Sequence, residues 1–127
     1  MSSDPRARIL AALTPALPAR WDKKPYTVRA VGKLAKPSLF IDYTSINHDG
    51  MPPGQVFDGY EIALVSAHED YQKAEQELDP IARAVIRVLD ASSDLAWSTA
   101  NKRALANDTY LAWIITVQQI SHTTPQE

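Results

Sequence analysis

The residues whose types and spacing suggest chemistry are a histidine beside two acids, a run of acids and a set of cations among aromatic rings. His68-Glu69-Asp70 places an imidazole next to two carboxylates, the material of a metal or acid–base site. The same residues sit where a helix N-terminus favours negative charge, and Ser66-Ala67-His68-Glu69 has the S-x-x-E form of a capping box. Capping is therefore the preferred reading, with a helix starting near Ala67. His48-Asp49 lies in a turn-rich segment that preorganises a catalytic pair poorly, and His122 opens a polar tail. Glu75, Glu77 and Asp79 read as a solvated helix face. Trp21, Lys23, Lys24, Tyr26, Arg29, Lys33 and Lys36 interleave cations and rings as nucleic-acid surfaces do, yet lysines on a strand also protect a solvated edge from aggregation. There is no Gly-rich phosphate loop, G-x-S-x-G elbow or H-E-x-x-H motif. The expectation is a chain with no catalytic residue, no cofactor and no metal; a small enzyme or nucleic-acid-binding module remains as the alternative class.

The elements that must position these residues are organised around 78–89. Asp79 suits an N-cap and Pro80 a first helical turn. At about 100° per residue, Ile81, Ala82, Ala84, Val85, Ile86, Val88 and Leu89 cover more than half the circumference, leaving Arg83, Arg87 and Asp90 a narrow remainder. Tyr71, Ala74 and Leu78 continue the stripe in phase, which predicts one long helix kinked or broken at Asp79-Pro80. So wide an apolar arc needs cover on a second flank.

A short helix from Asp4-Pro5, with Ile9, Leu10 and Leu13 at helical spacing, ends at Pro15 and Pro18. Strands are expected at 25–31, 38–44 and 56–65, the last two forming a hairpin. Between them, 45–55 collects Asn47, Asp49-Gly50, Pro52-Pro53 and Gly54, the residues that set turns, and reads as a long loop. A fourth strand covers 95–105 and a fifth 110–117, the latter apolar on both faces. The order α-β-β-β-α-β-β defines a single α+β domain with a largely antiparallel sheet and two helices on one face. With Trp113, Ile115 and Val117 on one side of the fifth strand and Tyr110 and Ile114 on the other, a partner subunit is the expected cover.

At 127 residues the chain is long enough to bury one core without cysteine, which excludes disulfides and thiolate metal sites. Neither a signal-peptide core nor a membrane-spanning run is legible, so a soluble intracellular product is expected. The net charge of −2 conceals a split: residues 1–37 carry eight Lys/Arg against two Asp/Glu, and residues 38–108 carry five against twelve. That segregation suggests complementary surfaces between copies, with Lys23 and Lys24 on the basic side.

The helix ending in Leu17-Pro18-Ala19, the strand Leu39-Phe40-Ile41-Asp42, the acid-rich run 74–79 into 81–89, Leu95-Ala96-Trp97, and the closing Tyr110-Leu111-Ala112-Trp113-Ile114-Ile115-Thr116-Val117 together resemble the tail terminator proteins of long-tailed bacteriophages, especially those of actinobacteriophages. The resemblance implies a homo-oligomeric, six-fold ring in the virion, on the head-proximal end of the tail tube. It would stop tube polymerisation, meet the head–tail connector, and let DNA pass through a lumen that does not grip it. Tail-tube and neck subunits have related folds and are the alternative within that class. On this reading Trp113, Ile115, Val117, Lys23 and Lys24 belong to the subunit interface. Ile46, Asn47, His48, Asp49, Met51, Pro52 and Pro53 form a loop that docks on the tube or connector.

Overall fold

The computed structural model describes residues 5–24, 34–48, 50, 52–93, 95–105 and 109–122. Helix α1 (Pro5–Leu13) runs into a single 3-10 turn (Thr14–Ala16), and β1 (Asp22–Lys24) follows. Then come β2 (Ser38–Asn47), β3 (Gln55–Val65), α2 (Tyr71–Ala91), β4 (Leu95–Leu105) and β5 (Tyr110–His122). Among the described residues these strands form one sheet in the order β1-β2-β3-β5-β4, antiparallel except for the short parallel pair β1–β2. The α+β class, the element order and the β2–β3 hairpin follow the pattern read from the sequence. The first strand expected at 25–31 lies outside the described residues, and the observed one precedes it.

Alternation along the strands sends Leu39 and Ile41 of β2, Tyr60, Ile62 and Leu64 of β3, and Ile115 and Val117 of β5 to the face covered by both helices. Helix α2 buries Ala74, Leu78, Ala82, Val85 and Leu89, a stripe with 3- and 4-residue spacing, while α1 contributes Ile9 and Leu13. The helix runs without a break through Pro80, where the sequence predicts a kink or a break. Pro80 and Gln76, whose carbonyl loses its helical partner, are both exposed, and the five buried residues on the other side hold the segment helical.

The helix begins later than the capping-box pattern predicts. Asp70 is the N-cap, its Oδ1 accepting the Gln72 N–H at 2.9 Å. Ser66 is unavailable because its backbone N–H bonds the Leu111 carbonyl at 3.1 Å, prolonging the sheet ladder. Its hydroxyl accepts the His68 N–H at 3.1 Å and donates to Glu77 Oε1 at 2.7 Å.

Candidate assembly surfaces

Where α2 crosses β4 and β5, the partly buried flank of the wide apolar arc meets two tryptophans. The Trp113 indole N–H donates to Asp79 Oδ1 at 2.9 Å, and the Trp97 indole N–H donates to Asp90 Oδ1 at 2.8 Å. Lys102 on β4 lies 5.1 Å from the Trp113 ring centroid and bridges Glu75 Oε2 at 3.0 Å and Asp79 Oδ1 at 3.2 Å. The hydrogen bond to Glu75, with Asp79 adding to it, holds the Lys102 pKa above its ordinary value against a smaller desolvation effect. Ala82, Ile86, Ala100 and the two indoles line a groove of about 620 Å³, with Arg83 and Arg87 also on its wall. Both arginines are exposed and i,i+4 on α2, and neither has an ion pair among the described residues.

The three acids read as one solvated face therefore diverge. Glu75 and Asp79 turn to β4, whereas Glu77 turns the other way. Its side chain is 6% exposed, and it pairs with Arg20 Nη2 at 2.8 Å while accepting the Ser66 hydroxyl. Two positions along a helix is about 200° of rotation, so the sequence proximity of the three carboxylates disguised two separate sites. Trp97, Arg83 and Arg87 were missed as site residues; the signal available was a paired-arginine stripe on an otherwise apolar arc.

Of the expected interface residues, Ile115 and Val117 are fully buried in the protomer. Helix α2 packs over them, which corrects the expectation that they meet a partner. Trp113 is half-buried and borders the groove. The opposite face is covered too: Leu34, Phe40, Ala63, Val65, Tyr110, Ala112 and Ile114 form a second buried cluster, and the Leu34 N–H donates to the Tyr110 hydroxyl at 3.0 Å. Hence the sheet is buried on both faces around these described residues. Lys23 and Lys24 lie on β1 at one edge of the sheet, Lys24 Nζ being 5.4 Å from the Phe40 ring centroid, so they are not brought together with Trp113 on β5.

The expected loop is shorter than predicted, because Ile46 and Asn47 continue β2 and pair with Asp58 and Phe57 after an irregularity between Tyr43 and Ser45. Ile46 is 67% exposed at this sheet end. His48, Pro52 and Pro53 are exposed, His48 Nε2 lies 3.3 Å from the Pro52 carbonyl oxygen, and Gly50 and Gly54 adopt positive φ of 74° and 86°. Asp49 and Met51 lie outside the described residues.

Past the second buried cluster, the sheet face away from the helices is partly exposed, with Asp42, Glu61, Thr116 and Phe57 half-buried. Asp42 and Glu61 stand directly opposite each other in the β2–β3 ladder, in a row completed by Thr116 and Thr99. Phe57 and Ile120 lie farther along the same face, Ile120 being 49% exposed. On the helix side of this sheet end, Tyr43 donates its hydroxyl to Asp58, stacks tilted on Tyr60 at 4.8 Å and faces the Arg6 guanidinium at 5.7 Å. Desolvation first, then the Asp58 hydrogen bond and charge, push the Tyr43 pKa up to about 12, Arg6 opposing them. A phenol raised in the folded state contributes stability that is complete below its ordinary pKa of about 10 and is lost as pH rises towards 12. An ultraviolet phenolate titration is expected to contain a component near 12 that Tyr43→Phe removes; an unchanged curve would refute the assignment.

Among the described residues, no group of three or more His, Asp or Glu side chains is placed to hold a metal, and no helix is long and apolar enough to cross a membrane. His68 is exposed beside the Ser66 turn, and among the described residues its only polar contact is the backbone N–H bond to the Ser66 hydroxyl.

No protein-family model matches the chain, and the comparison with curated proteins gives no match. Among solved structures, the fold is similar to a chain in the virion of a native gene transfer agent particle, with a TM-score of 0.60 and 13% sequence identity. The similarity covers 92% of this chain and 91% of that one.

Proposed function

We propose that this chain is a structural subunit of a phage-like virion, a tail terminator that assembles as a six-fold ring on the head-proximal end of the tail tube. The observation that carries the reading is the shared fold over about nine-tenths of both chains with a component of a gene transfer agent virion. The tail-terminator-like pattern along the sequence narrows it from virion subunit to terminator. The ring works by shape: one face matches the tube end, the other admits no further tube subunit and offers the connector its surface. DNA passes through the lumen, which needs a neutral or acidic lining because basic side chains there would bind phosphate. The exposed hairpin end around Ile46 and Pro52-Pro53 is the element proposed to dock on the tube or connector. No turnover is part of this role.

Light scattering and electron microscopy of the purified protein test it. The expected result is a closed ring of 14.1 kDa protomers that does not grow with concentration. Filaments of the pure protein would instead assign a tube subunit. A chain that stays monomeric at high concentration and also fails to cap tube ends removes the proposal.

A further inference from the structure

We propose that the groove between α2 and β4 seats a second copy of this chain, Arg83 and Arg87 of one copy meeting the half-buried Asp42 and Glu61 on the partly exposed sheet face of the next. This rests on the ring reading and deepens it by naming the contact between neighbours.

The groove fixes the charge of its occupant. Its acids are engaged: Asp79, with Glu75 just above it, by Lys102 and Trp113, and Asp90 by Trp97. Arg83 and Arg87 are left over, exposed and without an ion pair among the described residues, beside the apolar wall of Ile86 and Trp97. A complementary surface carries two carboxylates and an apolar contact. This chain has one on the other side of its sheet. Asp42 and Glu61 are cross-strand neighbours, an arrangement in which like charges repel, and neither carboxylate has a side-chain hydrogen bond or ion pair among the described residues. Ile120 stands exposed on the same face.

The spacings agree. Side chains at i,i+4 on a helix have Cβ atoms about 5–6 Å apart, and direct cross-strand neighbours about 4.5–5.5 Å apart, so two parallel ion pairs form without distorting either element. Among the described residues, Asp70 is committed to capping α2, Asp58 to Tyr43 and Glu77 to Arg20, and no other two acids face each other across the sheet ladders. Because the groove and the acid pair lie on opposite sides of one sheet, a copy cannot satisfy itself. The contact is heterologous, the type that closes into a ring when the rotation per subunit permits.

Charge reversal tests it on the full chain, by light scattering at low and high salt with circular dichroism as the folding control. Arg83→Glu with Arg87→Glu, and separately Asp42→Lys with Glu61→Lys, are each expected to raise the dissociation constant about 100-fold or more while the spectrum stays native. All four reversals in one chain are expected to restore assembly. If folding of a reversal variant is impaired, Arg83→Gln with Arg87→Gln replaces it, with a smaller weakening expected. Native-mass assemblies from both reversals would overturn the inference and leave the ring reading standing. Dissociation without rescue in the fourfold variant would overturn the pairing of these patches. A native chain that never assembles overturns both.

Discussion

Ile115→Asp is expected to unfold the protomer rather than to dissociate an assembly. Ile115 is completely buried, paired across the ladders with Ile62 on β3 and Ala100 on β4, and packed in the cluster that contains Leu78, Ala82 and Val85 of α2. A carboxylate there has no partner, and burying it costs several kcal/mol, comparable with the total stability of about 5–15 kcal/mol typical of such a domain. The milder Ile115→Ala leaves a cavity and is expected to cost about 2–5 kcal/mol, lowering the urea midpoint while the native state still forms. Circular dichroism and urea denaturation read both. An Ile115→Asp protein that unfolds at the native urea concentration and differs only in mass would put this side chain at an interface after all.

That residue also marks how far the sequence reaches. Period-2 alternation correctly separates Trp113, Ile115 and Val117 from Tyr110 and Ile114, and 3.6-residue periodicity picks out Ala74, Leu78, Ala82, Val85 and Leu89, because both patterns are local. Which cover each face receives is not local. It depends on how α2 crosses β4 and β5 and on Leu34 reaching Tyr110, seventy-six positions away in the chain. The helix start was misplaced for the same reason: Ser66 has the right type and spacing for a cap, but a long-range ladder bond to Leu111 claims its backbone.

The candidate site divides similarly. Arg83 and Arg87 stand out in the sequence as charges on an apolar arc, yet only the packing of β4 makes them part of a groove with Trp97 and Ala100. Asp42 and Glu61 are nineteen positions apart, and their direct opposition follows from the hairpin register, which a turn-rich connection with an irregularity near Thr44 does not reveal in advance. Lys102 shows the converse. Its two carboxylate partners, Glu75 and Asp79, are legible as an i,i+4 pair, but the cation that neutralises them comes from another element.

Replacing residues 48–54 with an Asn-Gly turn is expected to leave the protomer folded and the tail uncapped. Asn47 pairs with Phe57, so the shortened chain joins them through four residues, a length that hairpins commonly use. His48, Pro52 and Pro53 are exposed and belong to neither buried cluster, so the urea midpoint is expected to change little. The pair of prolines restricts the native connection, which under the proposed function lowers the entropy lost on docking, and Ile46 beside it offers apolar area. If this hairpin end is what grips the tube, particles made with the shortened chain carry tails longer than normal even though the purified variant still forms rings. Electron microscopy of those particles gives the length distribution directly. Tails of normal length, with the ring in place at their ends, would reduce the hairpin end to a connection between β2 and β3 and move the tube-binding surface elsewhere on the ring.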